Sequence, residues 1–543
     1  MRIFRMLHVF SFQHRAFYCY LGMSVWIFFL ITVVYKYMSV GEETIAVKVL
    51  PYERESKSDA KYRRIYLRAS AVDNEAWLLQ GVLVLTRHGD RGPLTHLRGG
   101  DKLPCDVGPV STLLKSYEEF VMNASASGRA WWVAGPGPFH NFPTLPRAAA
   151  THCALGQLTP RGLLQMLTVG NILKEAYGEK LGLENMELLG KKDTGVAYST
   201  RYRRTFQSLQ ALAWGGTRRA AAAREAHSVA FCFRHCACQA TQNKGRLESN
   251  PGIQELINKL SKVLFESQER MDADTVRDAL LAYMCHDAPL PCSEKSPKTP
   301  KLDNADGYED VVIVKKNLDA DFNFPNDARI DTDFDEDYKE PTPEVTEEFC
   351  IKKEHVLSLF AYLEWSYRQE VKNIHNRRRG LLVAYGLIHN IVQNMIRMIS
   401  ENKPKFVLYS GHDKTLQALI LALGLNSYQH YNIQYASRMI FEVYRKRDLR
   451  DEFKFTKRKA VAQDFYFRVV YNGDDVTGKL SFCRTRQNVV MKVVDPADDL
   501  KTHSTYLCPI ENIVRFIHDD YFVGFNVSNY KDACATYGIS NQT

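Results

Sequence analysis

Val82-Leu83-Val84-Leu85-Thr86-Arg87-His88-Gly89-Asp90-Arg91-Gly92-Pro93 is the stretch from which the rest of this chain is read. Four consecutive apolar residues followed by glycine and proline describe a short buried strand that stops at a turn. At its end an imidazole, His88, stands close to two guanidiniums, Arg87 and Arg91. Arginine presents planar, permanently charged donors that match phosphate oxygens two at a time. Histidine can attack phosphorus and leave again as phosphohistidine. The stretch reads as a nucleophile in a phosphate cradle rather than a basic surface turn, if other segments complete the site.

Two further segments repeat the plan. Val196-Ala197-Tyr198 leads through Ser199 and Thr200 into Arg201–Ala213, where Phe206, Leu209 and Leu212 keep helical spacing and Gly215 is the expected stop. Lys405–Tyr409 leads through Ser410 and Gly411 into His412 and Asp413, with a helix expected over Lys414–Leu423 before Gly424. A fourth cue is Leu158-Thr159-Pro160: threonine as N-cap and proline at the first helical position open an amphipathic helix through Ala176. Short apolar strands alternating with helices predict an α/β fold on a doubly wound, mostly parallel sheet. Ligands of such sheets bind beyond the C-terminal strand ends, and there the basic and histidine residues fall.

A phosphoryl group in transfer spreads negative charge over its oxygens, so catalysis is mostly positioning and charge stabilisation. Arg87, Arg91 and an arginine from the second helix start supply that charge, helped by His412. His88 attacks in line, and Asp413 gives a proton to the leaving alkoxide. With several cations around the phosphate, no metal or other cofactor is required. Each piece has a plainer reading: Arg201, Arg203 and Arg204 as a solvated helix face, Asp413 as a helix cap. At matching strand ends beside the opening motif, the joint chemical reading prevails.

The 543 residues are 45% hydrophobic and 24% charged, with formal net charge +9. That balance favours anionic partners, and no nucleic-acid signature accompanies it. Residues 16–35 carry no charged side chain, which is enough to span a bilayer as a helix. Arg2, Arg5 and Arg15 precede the span, while Glu42 and Glu43 soon follow it. The expected layout is a cytosolic tail over 1–15, an uncleaved signal anchor over 16–35, a polar stem over 36–75 and a lumenal domain over 76–543. Sequons at Asn123, Asn526 and Asn541 agree with a lumenal body. Eleven cysteines lie beyond the anchor, and in an oxidising lumen most should pair with one left over. Cys232, His235, Cys236 and Cys238 match no common zinc spacing, and the three cysteines read as disulfide partners. The acidic run in the loop of about 293–345, Asp331–Asp337, has Glu336 and Thr342 where a calcium loop needs glycine and glutamate, so it reads as solvated.

The residues resemble the histidine acid phosphatases, the second branch of the histidine phosphatase superfamily, which includes prostatic and lysosomal acid phosphatases and phytases. The R-H-G-x-R-x-P signature stands complete at Arg87–Pro93, and the His-Asp signature stands at Ser410–Thr415. Ser199-Thr200 with Arg204-Thr205 matches the family's helix-start pattern, which selects Arg204 as the phosphate ligand. Gly156-Gln-Leu-Thr159 with Gly162 resembles its G-x-L-T-x-x-G block, and Phe467–Gly473 weakly resembles its late strand and turn. The resemblance spans roughly residues 77 to 515. It implies an α/β core with a largely helical cap inserted at about 216–400, here with the acidic loop and N-terminal anchor as departures. It implies His88 as nucleophile, Asp413 as proton donor, and Arg87, Arg91, Arg204 and His412 around the phosphate.

Type II topology with a stem is typical of Golgi membrane enzymes, and joined to these motifs it resembles a Golgi phosphatase of phosphorylated glycans. That resemblance implies as substrate the 2-phosphate of xylose in the glycosaminoglycan–protein linkage region. Glycosaminoglycan-synthesis enzymes would be partners. Arg377-Arg378-Arg379 would suit an anionic glycan, though such triplets are usually solvated surface. A general lumenal acid phosphatase or an inositol-polyphosphate phosphatase uses the same chemistry. A non-catalytic lumenal protein holding an anionic glycan or partner is the reading of another class, and the intact set of six site residues speaks against it.

Overall fold

Alternation along the first strand sets the layers. In the computed structural model, Val82 and Val84 join one buried cluster while Leu83 and Leu85 join another on the opposite face, as side chains of period two require. The structure describes residues 26, 76–100, 103–105, 111–127, 139, 142–146, 153–183, 194–218, 220, 223–225, 250–266, 270–293, 349–447, 461–484, 488–495 and 498–540.

Among these the strands are β1 (Trp77–Arg87), β2 (Gly195–Ser199), β3 (Ala223–Glu225), β4 (Phe406–Gly411), β5 (Arg438–Lys446), β6 (Phe465–Tyr471), β7 (Asp474–Asp475), β8 (Val489–Asp495) and β9 (Asp498–Pro509). The sheet order is β3-β2-β4-β1-β5-β6-β9-β8, with β7 paired to β6. The half from β3 to β1 is parallel. From β1 onward every pairing is antiparallel. The sheet is therefore mixed, not mostly parallel. Parallel neighbours need crossover connections, whereas antiparallel neighbours do not. The β6–β7 connection is a two-residue Asn472-Gly473 turn, both residues at positive φ, the twist a tight hairpin demands.

The helices are α1 (Thr112–Ala126), α2 (Pro160–Leu181), α3 (Arg203–Thr217), α4 (Pro251–Leu264), α5 (Ala273–Cys285), α6 (Lys353–Lys372), α7 (Ile374–Ser400), α8 (Asp413–Ala422), α9 (Ile510–Arg515) and α10 (Tyr530–Ser540). Helices α1, α2 and α3 cover one face of the sheet, and α7 and α8 cover the other. Thr159 caps α2 by accepting from the Gly162 amide, with Pro160 at the first position as expected, but the helix runs past Ala176 to Leu181 and stops at left-handed Gly182. Gly215 does not end α3, which continues to Thr217. A side chain there would be driven into the Leu167 carbonyl of α2, so this glycine serves a close helix crossing with Gly170. Helix α8 ends where expected, with Gly424 left-handed just beyond.

Helices α4, α5 and α6 form a third apolar cluster with Leu97 and Leu103, apart from the two sheet faces. Disulfides join Cys105 to Cys153, Cys292 to Cys350 and Cys483 to Cys508, and Cys534 is also disulfide-bonded. Cys285 is a free, buried thiol. The bridge between Cys292 and Cys350 clamps the two ends of the acidic stretch. The expected anchor (Trp26 apart), the stem, the cluster around Cys232, the acidic loop and Asn541 lie outside the described residues. Among the described residues no helix is long and apolar enough to cross a membrane.

Candidate active site

Three adjacent parallel strands deliver the motifs to one edge of the sheet. Arg87 of β1 pairs with Gly411 of β4, and Ser199 of β2 pairs with Ser410 of β4. His88, Thr200 and His412 thus leave the sheet side by side, at the carboxyl ends where such sheets bind ligands. The amide of His88 donates to the Gly411 carbonyl at 3.1 Å, and the amide of Thr200 donates to the Ser410 carbonyl at 3.3 Å. Behind the first turn, Gly89 and Gly162 lie so close that a Cβ on either would strike the other segment's backbone. Thr159 adds a 2.6 Å hydrogen bond to Asp90, so the cap of α2 also braces the turn that carries His88.

A cavity of about 850 Å³ opens at this edge, against α5. Arg87, His88, Arg91, Arg204, His412 and Asp413, the six residues singled out from sequence, all line it. Arg201 lines it as well, whereas Arg203 does not. The Nδ1 of His88 lies 2.7 Å from the Gly89 carbonyl oxygen. A carbonyl only accepts, so Nδ1 carries the proton and Nε2 keeps its lone pair. Arg91 is gripped by Asp278 of α5 through contacts of 2.6 and 3.3 Å. Arg87 reaches Asp413 at 3.4 Å, donates to the Ile433 carbonyl, and lies over the Tyr435 ring at 4.2 Å. His412 places Nε2 3.0 Å from the Thr200 hydroxyl, and its ring stands edge-on to Tyr202.

The site is built to hold an anion. Six cationic side chains line it against three carboxylates. The Nε donors of Arg87, Arg204 and Arg277 are buried with no hydrogen-bond partner among the described residues. Such uncompensated buried donors are costly. Burial, then Arg87 and Arg204, hold His88 well below the ordinary histidine value, so it stays neutral. Burial, then Arg204, press His412 down to about 4. Burial would raise Asp413, but Arg87, Lys414 and Arg277 hold it well below the usual carboxylate range. Arg204 falls to about 10 through burial and the neighbouring Arg91.

Several participants were not singled out from sequence. Arg277 and Asp278 come from helix α5, are buried, and line the cavity. On an amphipathic helix such charges look solvated, and no local signal marks them. Thr200 stood in the quoted Ser-Thr pair, which was a usable signal for its hydroxyl. Tyr435 sits in an irregular segment with no pattern to find it. Asn123 and Asn526 are exposed, as glycosylation acceptors must be. Among the described residues, Cys105, Cys153 and His286 come close enough to hold a metal ion, but both sulfurs are tied in one disulfide and offer no thiolate.

Comparison with known proteins agrees with this chemistry. The model of the histidine phosphatase superfamily (branch 2) matches residues 78–472. A 2-phosphoxylose phosphatase 1 from Xenopus tropicalis is 24% identical over 475 residues, covering 84% of this chain and 77% of its own length. Its counterpart from Homo sapiens is 26% identical over 480 residues, covering 85% of this chain and 82% of its own. Among solved structures, the phytase from D. castellii aligns with TM-score 0.39 and 13% identity over 87% of this chain and 88% of that one.

Proposed function

The chain belongs to branch 2 of the histidine phosphatase superfamily and is a phosphatase, and from that premise we propose that it removes the 2-phosphate from xylose in the glycosaminoglycan–protein linkage region. The similarity to 2-phosphoxylose phosphatases over most of both chains supports this substrate. The proposed setting is the Golgi lumen, behind the apolar anchor of residues 16–35, alongside the enzymes of glycosaminoglycan synthesis.

In this reading Nε2 of His88 attacks phosphorus while the ester P–O bond breaks, and Asp413 gives its proton to the departing sugar alkoxide. Arg87, Arg91 and Arg204, with His412, hold the equatorial oxygens. Water then attacks the phosphohistidine and passes a proton to the Asp413 carboxylate. The P–N bond breaks, its electron pair returns to Nε2, and inorganic phosphate leaves. The observation that carries the mechanism is one cavity lined by a neutral His88 with its Nε2 lone pair, the guanidiniums of Arg87, Arg91 and Arg204, and the Asp413 carboxylate beside Arg87. A second reading, hydrolysis of an inositol polyphosphate, draws on the extra cations Arg201 and Arg277 in the same cavity.

The test offers purified full-length protein a phosphoxylose linkage tetrasaccharide, a small aryl phosphate and phytate. Turnover of the tetrasaccharide is expected, with a phosphoenzyme that His88→Ala abolishes. Activity restricted to phytate overturns the xylose substrate, and full turnover by His88→Ala overturns the nucleophile.

A further inference from the structure

The cavity does not end at the phosphate cradle. A second cavity of about 450 Å³ adjoins it, and Asp274 and Lys414 line both. On the cap side Tyr362 and Tyr367 of α6 form its wall, and Tyr431 faces them from the core. Tyr367 and Tyr431 meet edge to face with centroids 6.1 Å apart. Lys414 lies over the Tyr431 ring at 5.1 Å, so the group shared by the two cavities is seated on the second cavity's own aromatic wall.

We propose that this second cavity is a saccharide subsite, which receives the uncharged sugar units attached to the phosphorylated one. The inference rests on the phosphoglycan reading above and adds to it the place where the sugars next to the phosphorylated one are held. Its volume suits a small-molecule ligand, and aromatic walls with a few placed polar groups are what such sites offer. Tyrosine rings present broad apolar faces to the C–H faces of sugar rings. The polar lining carries Asp272, Asp274 and Glu370 against Arg379 and Lys414. That balance offers a second phosphate no excess of cations. The contrast with the cationic first cavity divides the labour: one compartment for the phosphate, the next for neutral polyol.

The test compares kcat/KM of the full-length protein on a phosphoxylose linkage tetrasaccharide, on 2-phosphoxylose alone and on a small aryl phosphate. Wild type should prefer the tetrasaccharide to 2-phosphoxylose by about tenfold or more. Tyr367→Ala should lose about tenfold on the tetrasaccharide, chiefly through KM. The same variant should keep the other two substrates within about twofold, which also shows that it folds. Tyr367→Phe should retain the preference, because the ring and not the hydroxyl makes the contact. Equal wild-type rates on the two sugar phosphates, or an equal loss on all three substrates in Tyr367→Ala, overturns the subsite alone. Hydrolysis of aryl phosphate with neither sugar phosphate touched overturns the glycan reading and the subsite with it.

Discussion

Asp278→Asn tests whether α5 takes part in catalysis or merely walls the cavity. Asp278 accepts from both terminal nitrogens of Arg91, at 2.6 and 3.3 Å, and from the Leu94 amide at 2.8 Å. Arg91 is 7% exposed and Asp278 is 7% exposed, so solvent does little to soften the change. The asparagine oxygen can keep one bond to the guanidinium, but its amide group then faces another donor. A hydrogen bond to a charged group is worth about 1.5–3 kcal/mol. Deleting a buried partner outright costs about 3–5 kcal/mol. With one bond retained, the expected loss of folding stability is about 2–3 kcal/mol.

Removing a carboxylate also leaves the phosphate site more positive, which by itself strengthens anion binding. The two effects separate in kinetics. A misaligned Arg91 should lower kcat about tenfold, equivalent to about 1.4 kcal/mol of transition-state stabilisation, while inhibition by inorganic phosphate is not weakened. Steady-state kinetics on an aryl phosphate, with a urea melt as folding control, measures both. A folded variant with kcat within about twofold of wild type would refute the positioning role of the clamp.

Three further outcomes follow from the same geometry. In an NMR titration of the histidine rings, neither His88 nor His412 should titrate at the ordinary value near 6.5, and the His412 midpoint should lie at about 4. The unfolded chain binds these protons below about 6.5 and the folded one does not. Stability therefore falls as pH drops from about 6.5 towards about 4, with His412 contributing about 3 kcal/mol over that window at about 1.4 kcal/mol per pH unit. A midpoint near 6.5 for either ring refutes the electrostatics. Asp413→Asn should slow an alkyl phosphate about 100-fold or more, yet an aryl phosphate with an acidic phenol about tenfold or less, since only the former needs a proton on departure. Equal losses on both would remove Asp413 from the donor role. Gly162→Ala should lower the thermal midpoint by the equivalent of about 1–3 kcal/mol, because its Cβ is driven into the Asp90 backbone. Wild-type stability in that variant would show that the approach is not tight.

Much of the site was legible because its residues sit where the chain changes periodicity. Val82–Leu85 and Lys405–Tyr409 are apolar runs that end abruptly in histidine, and strand ends of an α/β sheet are where polar side chains acquire chemistry. Of the antiparallel half of the sheet only Phe467–Gly473 was legible, as a late strand and turn, and that through the family resemblance alone. Strand β5 is buried almost throughout, so it shows no alternation, and its register against β1, Leu83 with Phe441, is fixed by packing rather than by local pattern. Gly215 misled because a glycine that ends a helix and one that admits a neighbouring helix look alike in one dimension. Asp278 was invisible for a related reason. It lies 187 residues from Arg91 along the chain, and only folding brings α5 over the turn after β1 and joins its carboxylate to that turn's arginine as a clamp.

The low pKa of Asp413 sits awkwardly with a proton donor, and Arg87 resolves the difficulty. In the structure Asp413 is held ionised, its oxygen 3.4 Å from Arg87. The other contacts of Arg87, the Ile433 carbonyl and the Tyr435 ring, fix it facing the cavity whatever Asp413 does. A phosphate entering among Arg87, Arg91 and Arg204 competes for that guanidinium and sets like charge beside the carboxylate. Both changes favour the protonated acid. On the proposed mechanism, then, the substrate's own charge readies the donor. When the alkoxide has taken the proton, Asp413 is again a carboxylate, the form needed to accept one from the attacking water. The same salt bridge that would disqualify Asp413 as an acid on its own makes its acidity conditional on a phosphate being bound.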